Sequence, residues 1–228
     1  MKNIVIFGAG EFGSMLFEYL NNDSNYKVLS FAAEKEYICD KYINGVPVYD
    51  PEELQKVYDK DEIEIIVAIT FSNMNRDRAR VFESLKKKGY RFGSYISSRS
   101  YVSDSAMIGK NVIILENSSV QFRCTVEDNV VIGPGCVIAH SSIVHKNSWL
   151  SGGIITGGFV EIGSNSFIGL NSTIADKTCL EDFTLTGAGA YIQEKTDRYS
   201  VYPGRKSRDL LKKVDGKADI QNELLIRT

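Results

Sequence analysis

From Ile108 to Val144 the chain reads I GKNVII LENSSV QFRCTV EDNVVI GPGCVI AHSSIV, and every group of six ends on a branched aliphatic residue. Carried in both directions without a slip, the series is Ile96, Val102, Ile108, Ile114, Val120, Val126, Ile132, Ile138, Val144, Leu150, Thr156, Ile162, Ile168, Ile174, Leu180, Thr186 and Ile192. Fifteen of the seventeen are aliphatic and two are Thr. Two residues earlier the side chain is mostly small, as at Ser118, Cys124, Cys136, Ser142, Ser148 and Ser166. Neither an amphipathic helix nor an alternating strand has a period of six. A chain that turns a corner every six residues does. Three sides close a triangular coil of about eighteen residues, the hexapeptide form of parallel β-helix. The aliphatic residue fills the interior, and the small one lets the chain bend beside it. Gly, Asn, Asp and Ser supply corners, as in Ile108-Gly109-Lys110-Asn111 and Ile162-Gly163-Ser164-Asn165. About five and a half coils follow between Ile96 and Ile192.

Upstream, residues 1–92 read as a small α/β domain. Ile4-Val5-Ile6-Phe7 is a buried strand, Met15, Leu16, Tyr19 and Leu20 mark one face of a helix, and Lys27–Phe31 is a second strand. Asp50-Pro51-Glu52-Glu53 opens a helix with an N-cap and Pro at its first position. Ile63–Ile69 is a further strand, and a helix from about Asn75 to Lys88 ends at Gly89. Strands alternating with helices imply a parallel sheet. Gly8, Gly10 and Gly13 form a G-x-G-x-x-G pattern between strand and helix, the context for phosphate binding at a helix N-terminus. Glu34 stands where a dinucleotide fold keeps its ribose-binding acid. Against NAD, the domain is short of two mononucleotide halves and no hydride-transfer set follows. Glycines serving only strand-to-helix packing are the plainer alternative; a nucleotide-sugar pocket is the third.

A net charge of −2 over 228 residues gives no reason to expect a nucleic acid or an anionic membrane surface as partner. The N-terminus lacks the apolar region of a signal peptide, and no apolar run is long enough to span a bilayer. The four cysteines have no metal-binding spacing, so no metal is expected, and Cys124 and Cys136 fall in small-residue slots as reduced, buried space-fillers. These features fit a cytoplasmic protein. After Ile192 the period fails: Gln193–Ser207 reads as a loop leaving the last coil, and residues 209–228 as a tail with a short helix. Arg205, Lys206, Arg208, Lys212 and Lys213 form a basic group, either a solvated face or a phosphate contact.

The chain has two histidines, His140 and His145. His140 lies two residues after an inward position, hence near a corner and pointing outward. Such a residue is either plain surface or a base suited to proton removal near neutral pH. Gly158 lies eighteen residues on and stacks on the same edge. In Thr156-Gly157-Gly158-Phe159 the backbone is bare, so a Gly N–H could meet an oxyanion beside the His. A base with a backbone donor, and no protein nucleophile, suits acyl transfer by direct attack on a thioester.

Over nearly its whole length the sequence resembles the hexapeptide-repeat sugar acyltransferases of the sialic acid O-acetyltransferase and bacillosamine N-acetyltransferase group. The resemblance rests on Phe7-Gly8-Ala9-Gly10-Glu11-Phe12-Gly13, Gly45-Val46-Pro47-Val48, Val67-Ala68-Ile69 with Arg76 following, and the coil ending in Tyr202-Pro203-Gly204. It implies a Rossmann-like domain over 1–92, a left-handed β-helix over 93–198 and a tail over 199–228. It further implies a homotrimer with acetyl-CoA in the grooves between β-helices, and a nucleotide-linked sugar held by the N-terminal domain. The activity implied is acetyl transfer to an amino or hydroxyl group of that sugar, in polysaccharide or glycan synthesis. His140 falls on the family's catalytic histidine and Gly158 on its oxyanion donor. Gly157, Leu170 and Ala188 fall where CoA is lined, and Gly8, Gly10, Glu11, Phe12, Gly13 and Glu34 where the nucleotide sugar is held. The pattern departs at Ser141, where the family has an acid, and at Trp149, where a second His contacts the acetyl group. Trp149 is therefore either a donor contact or rim packing. Ala33 and Glu34 replace paired acids, and Gly204-Arg205-Lys206-Ser207 alters the terminal motif. The competing readings are a non-catalytic nucleotide-sugar scaffold, a transferase using another acyl donor, and an NAD enzyme.

Overall fold

A computed structural model describes residues 1–204. The tail expected over 209–228 and the basic residues Arg205, Lys206, Arg208, Lys212 and Lys213 lie outside the described residues.

The first strand, β1 (Lys2–Phe7), feeds α1 (Glu11–Asn22), β2 (Tyr26–Ala32), a short hairpin of β3 (Tyr42–Ile43) and β4 (Val46–Tyr49), α2 (Pro51–Val57), β5 (Glu64–Val67), α3 (Arg76–Lys87) and β6 (Arg91–Phe92). These six strands form one sheet in the order β3-β4-β2-β1-β5-β6, parallel except for the hairpin. The expected N-cap of α2 is present: Asp50 accepts from the amides of Glu52 and Glu53, and the Glu53 carboxylate accepts in return from the Asp50 amide. Leu54, Val81, Phe82 and Leu85 from α2 and α3 pack on one face of the sheet with Val5, Phe7, Ile65 and Val67. The other face, with Leu16 and Leu20 of α1, packs on the coil.

From Tyr95 onward every rung is a pair of residues, and parallel pairing joins residues eighteen apart, for example Val120 with Ile138 and Trp149 with Phe167. Three flat sheets result. The first face runs from Tyr95–Ile96 to Val201–Tyr202, the second from Tyr101–Val102 to Tyr191–Ile192, and the third from Met107–Ile108 to Cys179–Leu180. The inward residues from Ile114 to Ile192 are buried in one continuous column. The inward residues of the first coil are less covered, Val102 and Ile108 partly buried and Ile96 39% exposed, because nothing is stacked beneath them.

The small residues do more than make room. Ser118 Oγ donates to Gly133 O at 2.8 Å, Ser148 Oγ to Gly163 O at 2.8 Å and Cys136 Sγ to Ser151 O at 3.0 Å, each fifteen residues on. These bonds tie a corner of one coil to the next and satisfy carbonyls that the rungs leave over. Cys124 and Cys136 are free and buried, as expected, and burial raises both thiols, that of Cys136 to about 11. At the corners the chain turns through left-handed residues, mostly Asn (Asn111, Asn129, Asn147, Asn165), but also Ser141 and Phe159.

The coil does not end at Ile192. The chain leaves for Gln193–Ser200 and returns to pair Val201 with Leu185 and Tyr202 with Thr186, sixteen residues apart instead of eighteen. Tyr202 then closes the interior column. Shortening by two residues breaks the six-residue count, which is why the sequence reads there as an exit.

The domains are riveted together. Asn111 Oδ1 accepts from the Val67 amide at 2.7 Å and starts a buried ladder, Asn111 to Asn129 to Asn147. Beside it the fully buried Arg78 donates to the carbonyls of Val67, Ile69, Asn111 and Asn129. At the far end of α1, Asp23 accepts from Tyr95 Oη, Ser97 Oγ and the Ser98 amide at 2.9–3.0 Å. No helix among the described residues is long and apolar enough to cross a membrane.

Candidate active site

His140 follows the rung Val137–Ile138 on the edge between the second and third faces, and it is exposed. The segment is held by an irregularity. Along this face Ser103, Gln121, Gly157 and Ala175 donate their amides to backbone carbonyls of the next coil; Ala139 instead donates to Thr156 Oγ1 at 3.0 Å. Thr156 is one of the two inward residues that are not aliphatic. The other, Thr186, receives the Gly169 amide at 3.0 Å, directly before Leu170. Ser141, in the left-handed region at φ 58°, then turns the chain away, its amide bonded to Phe122 O.

The imidazole lies against the next coil. A Cβ at Gly158 would stand 2.6 Å from His140 Cε1 and 2.7 Å from Nε2, so only glycine leaves the ring its place. Phe159 meets the ring edge-on, centroids 5.1 Å apart at 89°. Gly157 is equally constrained from the other side, where a Cβ would fall 2.2 Å from Asp176 Oδ1. The Gly158 N–H, expected to await an oxyanion, donates to that carboxylate at 2.6 Å. In this structure the Asp176 carboxylate therefore occupies it. The other histidine is the one that has acids: His145 Nε2 lies 2.7 Å from Glu161 and Nδ1 3.2 Å from Glu127. Burial works against its charge, but the two carboxylates outweigh it and raise its pKa.

The remaining expected residues divide among three places. Leu170 and Ala188 are exposed and stack on the edge between the first and second faces, with Gly189 N donating to Leu170 O. The second face, with exposed Ile155 and Tyr191, separates them from His140. Trp149 belongs to neither edge. It stands on the first face, 5.1 Å from the Phe12 ring and 5.4 Å from Phe71. Within one chain it packs against the N-terminal domain and does not approach His140, because it is an outward rung residue and His140 a corner residue of another edge. Glu34 is also committed elsewhere. Both its oxygens take the Arg80 guanidinium, at 2.6 and 2.7 Å, which lowers its pKa and joins the end of β2 to α3. It does not stand free for a ribose.

The glycine loop splits by role. Gly8, at φ 139°, approaches the Ala68 carbonyl, where a Cβ would come within 2.3 Å, and a Cβ on Gly13 would strike Gly8 O at 2.0 Å. Those two serve packing. Gly10, the N-cap of α1, faces open space and offers no capping side chain, leaving the first-turn amides of Glu11 and Phe12 toward solvent. Beside it lies an aromatic cluster that sequence reading missed. Phe12, Trp149, Phe71 and Phe167 touch in sequence, the Phe71 and Phe167 rings at 4.6 Å. Phe71 is 47% exposed, so its ring faces open solvent. Trp149 and Phe167 are eighteen residues apart, which was the available signal; Phe12 and Phe71 arrive only through domain docking. Next to Phe167, Asn75 is buried with Nδ2 bonded to Ser166 O and Oδ1 unpartnered, and Arg76 follows, stacked 4.7 Å over Phe183. Asn73, Met74 and Asn75 are all left-handed, and Met74 has no side-chain reason to be so.

Residues 3–85 match the family model described as the PglD N-terminal domain. No curated protein matches the chain in sequence. Among solved structures, the acetyltransferase domain of PglB from Neisseria gonorrhoeae FA1090 superposes with a TM-score of 0.77 at 22% identity, over 92% of this chain and 100% of that one. It has also been solved in complex with acetyl coenzyme A. A mutant of perosamine N-acetyltransferase from Caulobacter crescentus, in complex with CoA and GDP-perosamine, gives 0.80 at 20% identity over 92% and 98%. WeeI from Acinetobacter baumannii AYE gives 0.59 at 16% over 91% and 99%. Residues 3–85 thus resemble the PglD N-terminal domain, and the chain as a whole shares the fold of these acetyltransferase structures, a left-handed β-helix behind a small α/β domain.

Proposed function

We propose that this chain, a PglD-type domain joined to an acyltransferase coil, moves an acetyl group from acetyl-CoA to an amino or hydroxyl group of a nucleotide-linked sugar. One observation carries the reading: the imidazole of His140 lies on an exposed edge against a glycine that no other residue could replace without displacing it. A surface histidine needs no such arrangement. A base that must stand at a fixed point does. The fold supports the same reading, since relatives of this architecture were solved with acetyl-CoA, and with CoA and GDP-perosamine.

In the proposed reaction a ring nitrogen of His140 takes the proton of the acceptor amine or hydroxyl as the acceptor atom bonds to the thioester carbonyl carbon. The tetrahedral intermediate collapses with cleavage of the C–S bond. CoA leaves as thiolate and recovers the proton from the imidazolium. The Gly158 amide is the donor nearest the base and would hold the oxyanion once released by Asp176. Leu170 and Ala188 would line the CoA chain from the neighbouring edge, and the nucleotide sugar would lie against Gly10 and the Phe12–Trp149–Phe71 aromatics. Base or sugar stacking suits that platform, and phosphate suits the open helix end.

The two edges are separated by the apolar second face, so we further propose a homotrimer in which grooves between coils bring a donor and the base together, working in the cytoplasm where acetyl-CoA is made. Calorimetric titration with acetyl-CoA, CoA and NAD tests the reading. Micromolar binding of both CoA compounds, and none of NAD, is expected. An assembled protein that binds neither CoA compound would instead be a nucleotide-sugar-binding scaffold.

A further inference from the structure

On the edge that carries the candidate base, His140, Gly158 and Asp176 occupy three successive coils, eighteen residues apart. Asp176 Oδ1 takes the Gly158 N–H at 2.6 Å. The same device closes two other corners, where Asp128 Oδ1 accepts from the Lys110 amide at 2.8 Å and Asp182 Oδ1 from the Ser164 amide at 2.7 Å. Those two amides have no titratable ring beside them in the stack. Among the described glycines, Gly158 alone has an imidazole against its Cα and a carboxylate on its amide. An N–H has one proton to give, and a bond to a carboxylate is stronger than a bond to a neutral carbonyl. A negative charge at that position also opposes the growth of an oxyanion there. The Asp176 side chain is exposed, so water can receive it when it turns away.

We propose that Asp176 controls the acyl-oxygen site: its carboxylate closes the Gly158 amide in the resting protein and gives it up when a thioester carbonyl arrives. The inference rests on the reading of His140 and Gly158 as an acyl-transfer site. Asp176 touches no reacting atom and acts through the Gly158 N–H, so it is a positioning residue. Its consequence is specific. Acetyl-CoA and CoA differ at the carbonyl, and the competing carboxylate holds down the preference for the acylated form.

The experiment is calorimetric titration of the assembled full chain with acetyl-CoA and with CoA, for wild type, Asp176→Ala, Asp176→Asn and Asp182→Ala. For Asp176→Ala the preference for acetyl-CoA over CoA rises about fivefold, the worth of one neutral hydrogen bond regained, with CoA affinity unchanged. Asp176→Asn keeps a neutral acceptor at the corner and gives an intermediate rise; it decides the question should the alanine variant fail to fold. Asp182→Ala loses the equivalent cap and lowers the melting temperature similarly, with the wild-type preference retained. CoA binding with an unchanged or lower acetyl-CoA preference in the Asp176 variants overturns the proposal alone and leaves Asp176 a corner cap. Failure of every variant to bind either compound overturns the acyl-transfer reading, and this proposal with it.

Discussion

His140 is exposed and touches only Gly158 and the edge of Phe159, so replacing it removes little buried surface. His140→Ala is therefore expected to melt as wild type while kcat falls by about 10²–10⁴, the range for a positioned general base; turnover near wild type would remove His140 from the mechanism. Gly158→Ala makes the complementary test, since its methyl displaces the imidazole by steric contact alone. It should lower kcat with little change in donor affinity, read from steady-state kinetics beside calorimetry. The stacking of His140 on Gly158 was legible because their spacing equals one coil. The occupancy of the Gly158 amide was not, because it depends on the rotamer of a residue eighteen positions further on. Thr156 was visible as an exception in the inward series, but its reason, the Ala139 amide, required the register between coils.

Among the elements, the junction of sheet and coil depends on groups that no local pattern announces. Arg78 is fully buried with four carbonyls and no carboxylate, and burial pushes its pKa down to about 9. In sequence its helix is legible only as a span from about Asn75 to Lys88 that ends at Gly89. Arg78→Ala leaves those carbonyls without their donor and should destabilise the protein by about 1–3 kcal/mol, measured by urea unfolding; no measurable loss would mean water replaces the guanidinium. At the other end of α1, hydrogen bonds from Ser98, and then from Tyr95 and Ser97, outweigh burial and hold the Asp23 carboxyl at about 2. A depressed folded pKa gives stability that is present above the unfolded value near 3.8 and is lost as pH falls toward 2. The Asp23→Asn variant should lack that component of the acid dependence, seen as a shallower decline in melting temperature between pH 4 and pH 2. The wild-type slope persisting in the variant would assign the acid loss to other carboxylates.

For the molecule as a whole, Tyr101, Ile155 and Tyr191 on the second face and Phe122 and Phe159 on its edge leave large apolar side chains more than half exposed. Such a surface on one chain marks an interface, and the proposed trimer would cover it. Sedimentation should give three times the 25.4 kDa chain mass, and Ile155→Glu should dissociate the assembly and abolish turnover together; a fully active monomer would refute the intersubunit groove. What the sequence determined by itself is the coil. A six-residue period encodes its own geometry, since the interior position, the small slot and the corner all recur within one short side and need no distant partner. The α/β domain was legible for a similar reason, from strand and helix patterns a few residues long. What only the tertiary structure decided is how those parts meet: Trp149 turned to Phe12 and Phe71, Glu34 taken by Arg80, the Gly158 amide held by Asp176, and the final rung returning at Tyr202. Each joins groups from different coils or different domains, and side-chain partners across such distances are set by packing and docking, which a repeat in the sequence does not record.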